Sequence, residues 1–358
     1  MSWYSKIYTR VREIRANNCF LGTILTFCLN IFLVIQILGL FYSMYVYVTI
    51  TVGYYVQYKA QAIVYLIIST YLFLMTLWSL MRTIFTRPAR VPSNYQPSKE
   101  LQDQLAAVTP YINNRFEADK STPAQIQSQN VILEEMCRSL NIKVAECDQF
   151  GRIKYCYECG HIKPDRTRHC SSCGKCCVKY DHHCPWINTC VTHSNYKYFL
   201  CYVCYTTIFV YWFLFTSIEG VVRYFIWQKW MEDLSKIIIY TVLMLFGCVF
   251  GYFPLGELVI FHWSLVGYNE TTVEQTKPAV LRNDNMADYN MGKSANFEHA
   301  LGWGLWGCPI ESKVSDGMHF DIRYVVLEKN HFIRVSQEIG GPENSANDTP
   351  TPTPNDTR

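Results

Sequence analysis

The chain has 358 residues, room for two or three domains. Its formal net charge of +3 is too small and too scattered to argue for nucleic acid. Half of the residues are hydrophobic and 15% aromatic, but they concentrate in four runs with the charge between and outside them, which excludes an ordinary soluble domain.

Residues 1–19 carry Lys6, Arg10, Arg12 and Arg15 ahead of the first apolar run, 20–48, which holds no charge. A spanning helix needs about 20 such residues. A cleavable signal peptide has a shorter apolar core and a small-residue cleavage site, and neither is present. Ser2 in place of Gly argues against N-myristoylation, and the final Asn-Asp-Thr-Arg is no prenylation signal, so helices are expected to anchor the protein.

After a connection through Lys59, the second run covers 62–81 and is followed at once by Arg82, Arg87 and Arg90. The polar stretch 82–155 contains Thr122-Pro123-Ala124-Gln125, a capping box with Pro at the first helical position. Ile126, Val131, Ile132, Leu133, Met136 and Leu140 then predict a helix with one apolar face, ending near Leu140. The third run, 198–222, starts directly after a cysteine-rich segment, and the fourth, 237–261, follows a loop with Arg223, Lys229, Glu232, Asp233 and Lys236.

Excess Lys and Arg mark cytoplasmic flanks, so both termini and residues 82–197 are expected in the cytosol. The sequons at Asn269, Asn347 and Asn355 would then stay unglycosylated. Glu219, Glu257 and His262 lie near the ends of the third and fourth runs, where snorkelling to the interface is the default reading. Residues 262–340 form a C-terminal region, and the Pro/Thr-rich tail 341–358 reads as disordered.

The chemistry concentrates in residues 156–197. Half of the sixteen cysteines fall between Cys156 and Cys190, with Cys-x2-Cys at 156/159, 170/173 and 173/176 and five histidines nearby. Thiolate and imidazole at this spacing hold tetrahedral Zn2+. Disulfides would need an oxidising compartment, against the expected topology. Two closed sites need eight donors, while the segment offers eight cysteines and five histidines, so soft nucleophiles are left over. The most suggestive surplus is Asp181-His182-His183-Cys184, where a carboxylate can orient an imidazole beside a thiol.

Asp181-His182-His183-Cys184-Pro185-Trp186, followed by Asn188, Cys190, Asn195 and Phe199, resembles the signature of the DHHC protein S-acyltransferases, or palmitoyltransferases. Upstream, Pro164, Arg166, His169, Cys170, Cys173 and Cys176 stand at that family's positions; Thr192 departs from its usual Gly. Thr271-Thr272-Val273-Glu274 resembles the family's TTxE motif, and Asn296 resembles the Asn of its C-terminal element.

The resemblance implies an all-α polytopic membrane protein. Four transmembrane helices would carry a cytosolic zinc-binding domain of short β-hairpins between the second and third. It implies one structural Zn2+ on Cys156, Cys159, His169 and Cys176 and another on Cys170, Cys173, His183 and Cys190. Cys184 would be the nucleophile, His182 its base and Asp181 the orienting carboxylate, with Thr271, Thr272, Glu274 and Asn296 in support. Acyl-CoA, commonly palmitoyl-CoA, would be the co-substrate, and substrate proteins with membrane-proximal cytosolic cysteines the acceptors. The membrane would be that of the Golgi, endoplasmic reticulum or cell surface. Lys175, Lys179 and Lys197 read either as contacts to the CoA phosphates or as membrane-surface charge. The rival reading is a membrane-anchored zinc scaffold without turnover, which has no need of an unliganded Asp-His-Cys set.

Overall fold

Long uncharged stretches become long helices. In the computed structural model three helices among the described residues are long and apolar enough to cross a membrane: Ile31–Gly53, Lys59–Phe85 and Tyr196–Glu219. The structure describes residues 3–227, 253–282, 288–312, 315–328 and 331–337. Most of the fourth apolar run, most of the loop before it, the tail, Asn347 and Asn355 lie outside the described residues.

The run read over 20–48 is divided. After α1 (Trp3–Asn17) and α2 (Cys19–Leu29), α3 (Ile31–Val46) passes into a π-helical turn, Tyr47–Tyr55. The break falls at Asn30, whose amide donates to the Thr26 carbonyl at 3.0 Å and accepts from Asn188 Nδ2 at 2.8 Å. A polar pair joining this position to the cysteine-rich segment sets the start of the apolar span after Asn30.

The second and third runs extend at both ends into α4 (Lys59–Phe85) and α7 (Tyr196–Trp227), which pack along one another. The buried face of α4 includes Ser69, Thr76, Ser79 and Thr83, small side chains that let helices approach closely where lipid gives no hydrophobic drive. Glu219 is not left to snorkel, because Gln61 Nε2 on α4 donates to it at 2.5 Å.

Between these helices, α5 (Lys99–Ala107) and α6 (Pro123–Leu140) follow, with a two-stranded ribbon of β1 (Tyr111–Ile112) and β2 (Arg115–Phe116). The capping box at Thr122 and Gln125 is formed, and α6 stops at Asn141 in the left-handed region. Leu133 and Met136 of α6 pack with Leu105, Ile153 and Ile162, so these members of the apolar face read from the sequence lie against the cysteine-rich segment, whereas Val131, counted in that face, is exposed.

Beyond β3 (Glu146–Cys147), that segment folds as three antiparallel hairpins: β4 (Tyr155–Cys156) with β5 (His161–Ile162), β6 (Arg168–Cys170) with β7 (Lys175–Cys177), and β8 (His182–Cys184) with β9 (Thr189–Val191). Gly160 and Gly174 turn the first two at φ +71° and +63°. The chain resumes with α8 (Phe253–Tyr268), α9 (Thr272–Thr276), β10 (Val280–Leu281) paired to β3, α10 (Lys293–Leu301), and a hairpin of β11 (Ile322–Glu328) and β12 (His331–Gln337).

Candidate active site and metal centres

Strand alternation sorts the ligands. Adjacent residues of a strand point to opposite faces, so β6 sends His169 one way and Cys170 the other. Across the ladder His169 pairs with Cys176, and in the third hairpin His183 pairs with Cys190. The same rule sends His182 and Cys184 away from His183.

Two groups of four result: Cys156, Cys159, His169 and Cys176, and Cys170, Cys173, His183 and Cys190. Around His169 Nδ1 the sulfurs of Cys156, Cys159 and Cys176 lie at 3.4, 3.3 and 3.8 Å. Around His183 Nδ1 those of Cys170, Cys173 and Cys190 lie at 3.7, 3.5 and 3.6 Å. Bond lengths to zinc of about 2.3 Å for sulfur and ~2.0 Å for nitrogen give tetrahedral edges of roughly 3.6 Å, so both sets fit the ion. His169 Nε2 lies 2.8 Å from Glu158 Oε2, which places a carboxylate beside this candidate ligand. The Cys/His clusters therefore suggest zinc. Cys177 belongs to neither set and receives Arg90 Nη1 on its sulfur at 3.0 Å.

On the other face, His182 Nδ1 donates to Asp181 Oδ2 at 2.6 Å, and the ring is also hydrogen-bonded to Cys184. Burial opposes charge on His182, but Asp181 overrides it and pushes the imidazole up to about 10. Burial of Asp181 acts against its carboxylate too, and the bonds from His182 and Thr272 hold it below the ordinary range. Phe199 packs edge-on against His182, with ring centroids 5.3 Å apart.

Asp181 is held from behind by the TTxE segment. The Thr272 backbone N–H donates to Oδ1 at 3.0 Å and its hydroxyl to Oδ2 at 2.8 Å. Thr271 has another task, capping α9 in a reciprocal box with Glu274. Glu274 also takes both Arg166 Nε and Nη2, at 2.9 and 2.6 Å, while Arg166 Nη1 reaches Asn269. This buried ion pair joins the cysteine-rich segment to the chain after α8. Asn296 is fully buried, and its bonds go to Gly267, Asn290 and Met291, tying α10 to the end of α8.

Cys184 is buried in an apolar cluster to which four helices contribute. Leu33 and Ile37 come from α3, Leu80 and Met81 from α4, Phe199, Tyr202 and Val203 from α7, and Leu258 and Val259 from α8. The thiol thus sits where the third hairpin meets the apolar cluster of the helices.

One member of the site escaped the sequence reading. His262 is 1% exposed rather than snorkelling, and its imidazole closes on Asp181 and His182 with ligand atoms mutually within 4.8 Å. The Tyr196 hydroxyl bonds His262 Nδ1 at 3.1 Å. An ionisable residue at the end of an apolar run was the available signal. Lys197 is also committed, donating to the Leu305 carbonyl and the Ser312 hydroxyl at 3.3 and 2.5 Å. Thr192 is buried, and its hydroxyl accepts from the Ala89 N–H at 3.0 Å, so the residue departing from the family's Gly anchors the chain after α4.

The family model described as DHHC palmitoyltransferase matches residues 149–279. Over 346 residues the chain is 62% identical to palmitoyltransferase spe-10 of Caenorhabditis elegans, spanning 96% of this chain and 99% of that protein. It is 29% identical over 310 residues to palmitoyltransferase ZDHHC15 of Xenopus laevis, 85% of each chain. With palmitoyltransferase ZDHHC20-B of Danio rerio the identity is 31% over 271 residues, 74% of this chain and 77% of that one.

Proposed function

Because this chain belongs to the DHHC palmitoyltransferase family and is a membrane-bound protein S-palmitoyltransferase, we propose that Cys184 carries the acyl group between a long-chain acyl-CoA and a cysteine of the acceptor protein. The observation that supports this most is the position of Cys184, beside an Asp181-oriented His182 on one side and inside an apolar cluster drawn from four helices on the other.

His182 takes the Cys184 proton, and the thiolate attacks the thioester carbonyl. A new S–acyl bond forms, the bond to CoA breaks, and the departing CoA thiolate takes the proton from His182. The acceptor cysteine then gives its proton to His182 and attacks the acyl-enzyme, and the Cys184 sulfur leaves and is reprotonated. Thioester is exchanged for thioester, so positioning rather than bond energy governs the rate.

Each buried CH2 of the acyl chain is worth about 0.8 kcal/mol, on the order of 10 kcal/mol for a long chain, and the helices converging on Cys184 supply that apolar surface. The two Cys/His sets, with structural zinc, brace the hairpins; Cys184 and His182 stay out of both. We further read the fourth apolar run, 237–261, as a span, which places both termini and the cysteine-rich segment on the cytosolic side.

Thr272→Val keeps the backbone bond to Asp181 and removes the hydroxyl bond. A hydrogen bond to a charged group contributes about 1.5–3 kcal/mol, so enzyme acylation is expected to slow about tenfold or more at unchanged zinc content. A rate equal to the parent's would remove Thr272 from the machinery. His262 acts here as a positioning residue for Asp181 and His182. With His262→Phe the acylation rate should fall and its pH profile should move, while zinc content and melting temperature stay near the parent values. An unmoved pH profile would reduce His262 to packing.

A further inference from the structure

Residues 302–310, Gly-Trp-Gly-Leu-Trp-Gly-Cys-Pro-Ile, follow α10 as irregular chain without a charged residue; charge resumes only at Glu311 and Lys313. Trp303 is 73% exposed, Leu305 65% and Trp306 49%. Such a segment facing water would be a liability, yet it is held firmly against the third span.

Its fixing points are one face of α7. Lys197 donates to the Leu305 carbonyl at 3.3 Å, Cys201 to that of Trp306 at 3.6 Å, and the Tyr205 hydroxyl to that of Gly307 at 2.7 Å. These three donors recur every four residues along the first turns of α7, where its apolar run begins. Further carbonyls at and beside the segment are satisfied within it. Gly302 accepts from Trp306 Nε1 at 2.8 Å, Leu301 from the Ser312 hydroxyl at 2.6 Å, and Cys308 from the Ile310 N–H at 2.8 Å. In water solvent would serve these groups; protein donors on the carbonyls of Gly302 and of Leu305 to Cys308 are what irregular backbone near membrane depth requires.

The aromatic residues extend the same surface. Trp263 of α8 stacks on Phe297 of α10 at 5.5 Å, and Phe297 on Trp306 at 6.2 Å. Tyr205 packs against Tyr71, itself 54% exposed on α4. Trp and Tyr in this arrangement suit the membrane–water interface. Gly302 is what lets the chain turn into this course, since it has φ +74° and a Cβ would fall 1.5 Å from the Ser312 carbonyl oxygen.

We propose that residues 302–310 form an interfacial anchor that dips into the bilayer beside the third span, with Trp303, Leu305 and Trp306 in contact with lipid. This rests on Tyr196–Glu219 being a span. Continuity with the apolar faces of α4 and α7 and the absence of charge favour lipid over a protein partner. The anchor fixes the end of α10, whose Leu301 packs with Leu200 and Val266, and so seats the C-terminal region beneath the active site.

The test uses the full chain in phospholipid vesicles, with a ketone amino acid placed at one site at a time and coupled to a nitroxide. Sites are Leu305, the exposed span residue Ile208 and the exposed α6 residue Val131. Collision with oxygen, which partitions into lipid, is compared with collision with a water-soluble nickel chelate. The oxygen-to-nickel ratio at Leu305 should shift from the Val131 value toward the Ile208 value. A ratio equal to that at Val131 overturns the anchor. Exclusion of both probes also overturns it, in favour of a covering protein surface. A Val131-like ratio at Ile208 itself brings down the spanning reading of α7, and the anchor with it.

Discussion

Cys184→Ser is expected to abolish hydroxylamine-sensitive incorporation of labelled palmitate and the corresponding acyl-enzyme mass, with zinc content unchanged. The hydroxyl fills nearly the same volume, so the apolar cluster around position 184 stays packed. What disappears is the nucleophile. A serine hydroxyl is far less acidic than a thiol, so no thiolate forms beside His182, and any oxyester formed there would resist the neutral hydroxylamine that cleaves a thioester. Loss of a nucleophile that acts as a unit with its base costs on the order of 10^6 in rate in enzymes of comparable logic. The converse measurement is the acyl mass itself, located on the peptide containing Cys184 in the parent enzyme. Thioester label that persists in Cys184→Ser moves the nucleophile to another of the sixteen cysteines and leaves this face of the third hairpin without a role.

Local signals in the sequence reached far into this fold. The Thr122 capping box and the apolar spacing after it located α6 to the residue, because a helix start is decided by groups a few positions apart. The cysteine and histidine spacings pointed to closed metal sites with donors to spare in Asp181-His182-His183-Cys184, and two Cys/His groups of four are indeed brought together. What escaped depends on partners distant in sequence. Asn30 lies within the uncharged run 20–48, and its partner Asn188 is 158 positions away. His262 and Glu219 read as shallow charges seeking water, because nothing in the sequence placed Tyr196 or Gln61 beside them. Arg166 was noted only for its resemblance to the family. Its burial against Glu274, 108 positions on, makes the TTxE segment a clamp on the cysteine-rich hairpins as well as a support for Asp181.

Cys170→Ser is expected to have an effect of comparable size by a different route. Structural zinc contributes apparent binding free energies of about 10–16 kcal/mol in small modules, and that energy is folding energy. Cys170 and His169 leave β6 on opposite faces toward different ion sites, so losing the second site unpins the strand that also serves the first. Zinc per chain should fall from two to one or below, and acylation should be lost with it, because β8 carries His183 between His182 and Cys184. Cys177→Ser is the control. Its sulfur lies in the same small cluster as Cys170 and Cys190 and is held by Arg90, but it stands outside both ligand sets. That variant should keep two zincs and near-parental acylation. If Cys170→Ser retained both ions while Cys177→Ser lost one, the second set would have to be redrawn with Cys177 as a ligand, and Arg90 would become the cation that balances its thiolate.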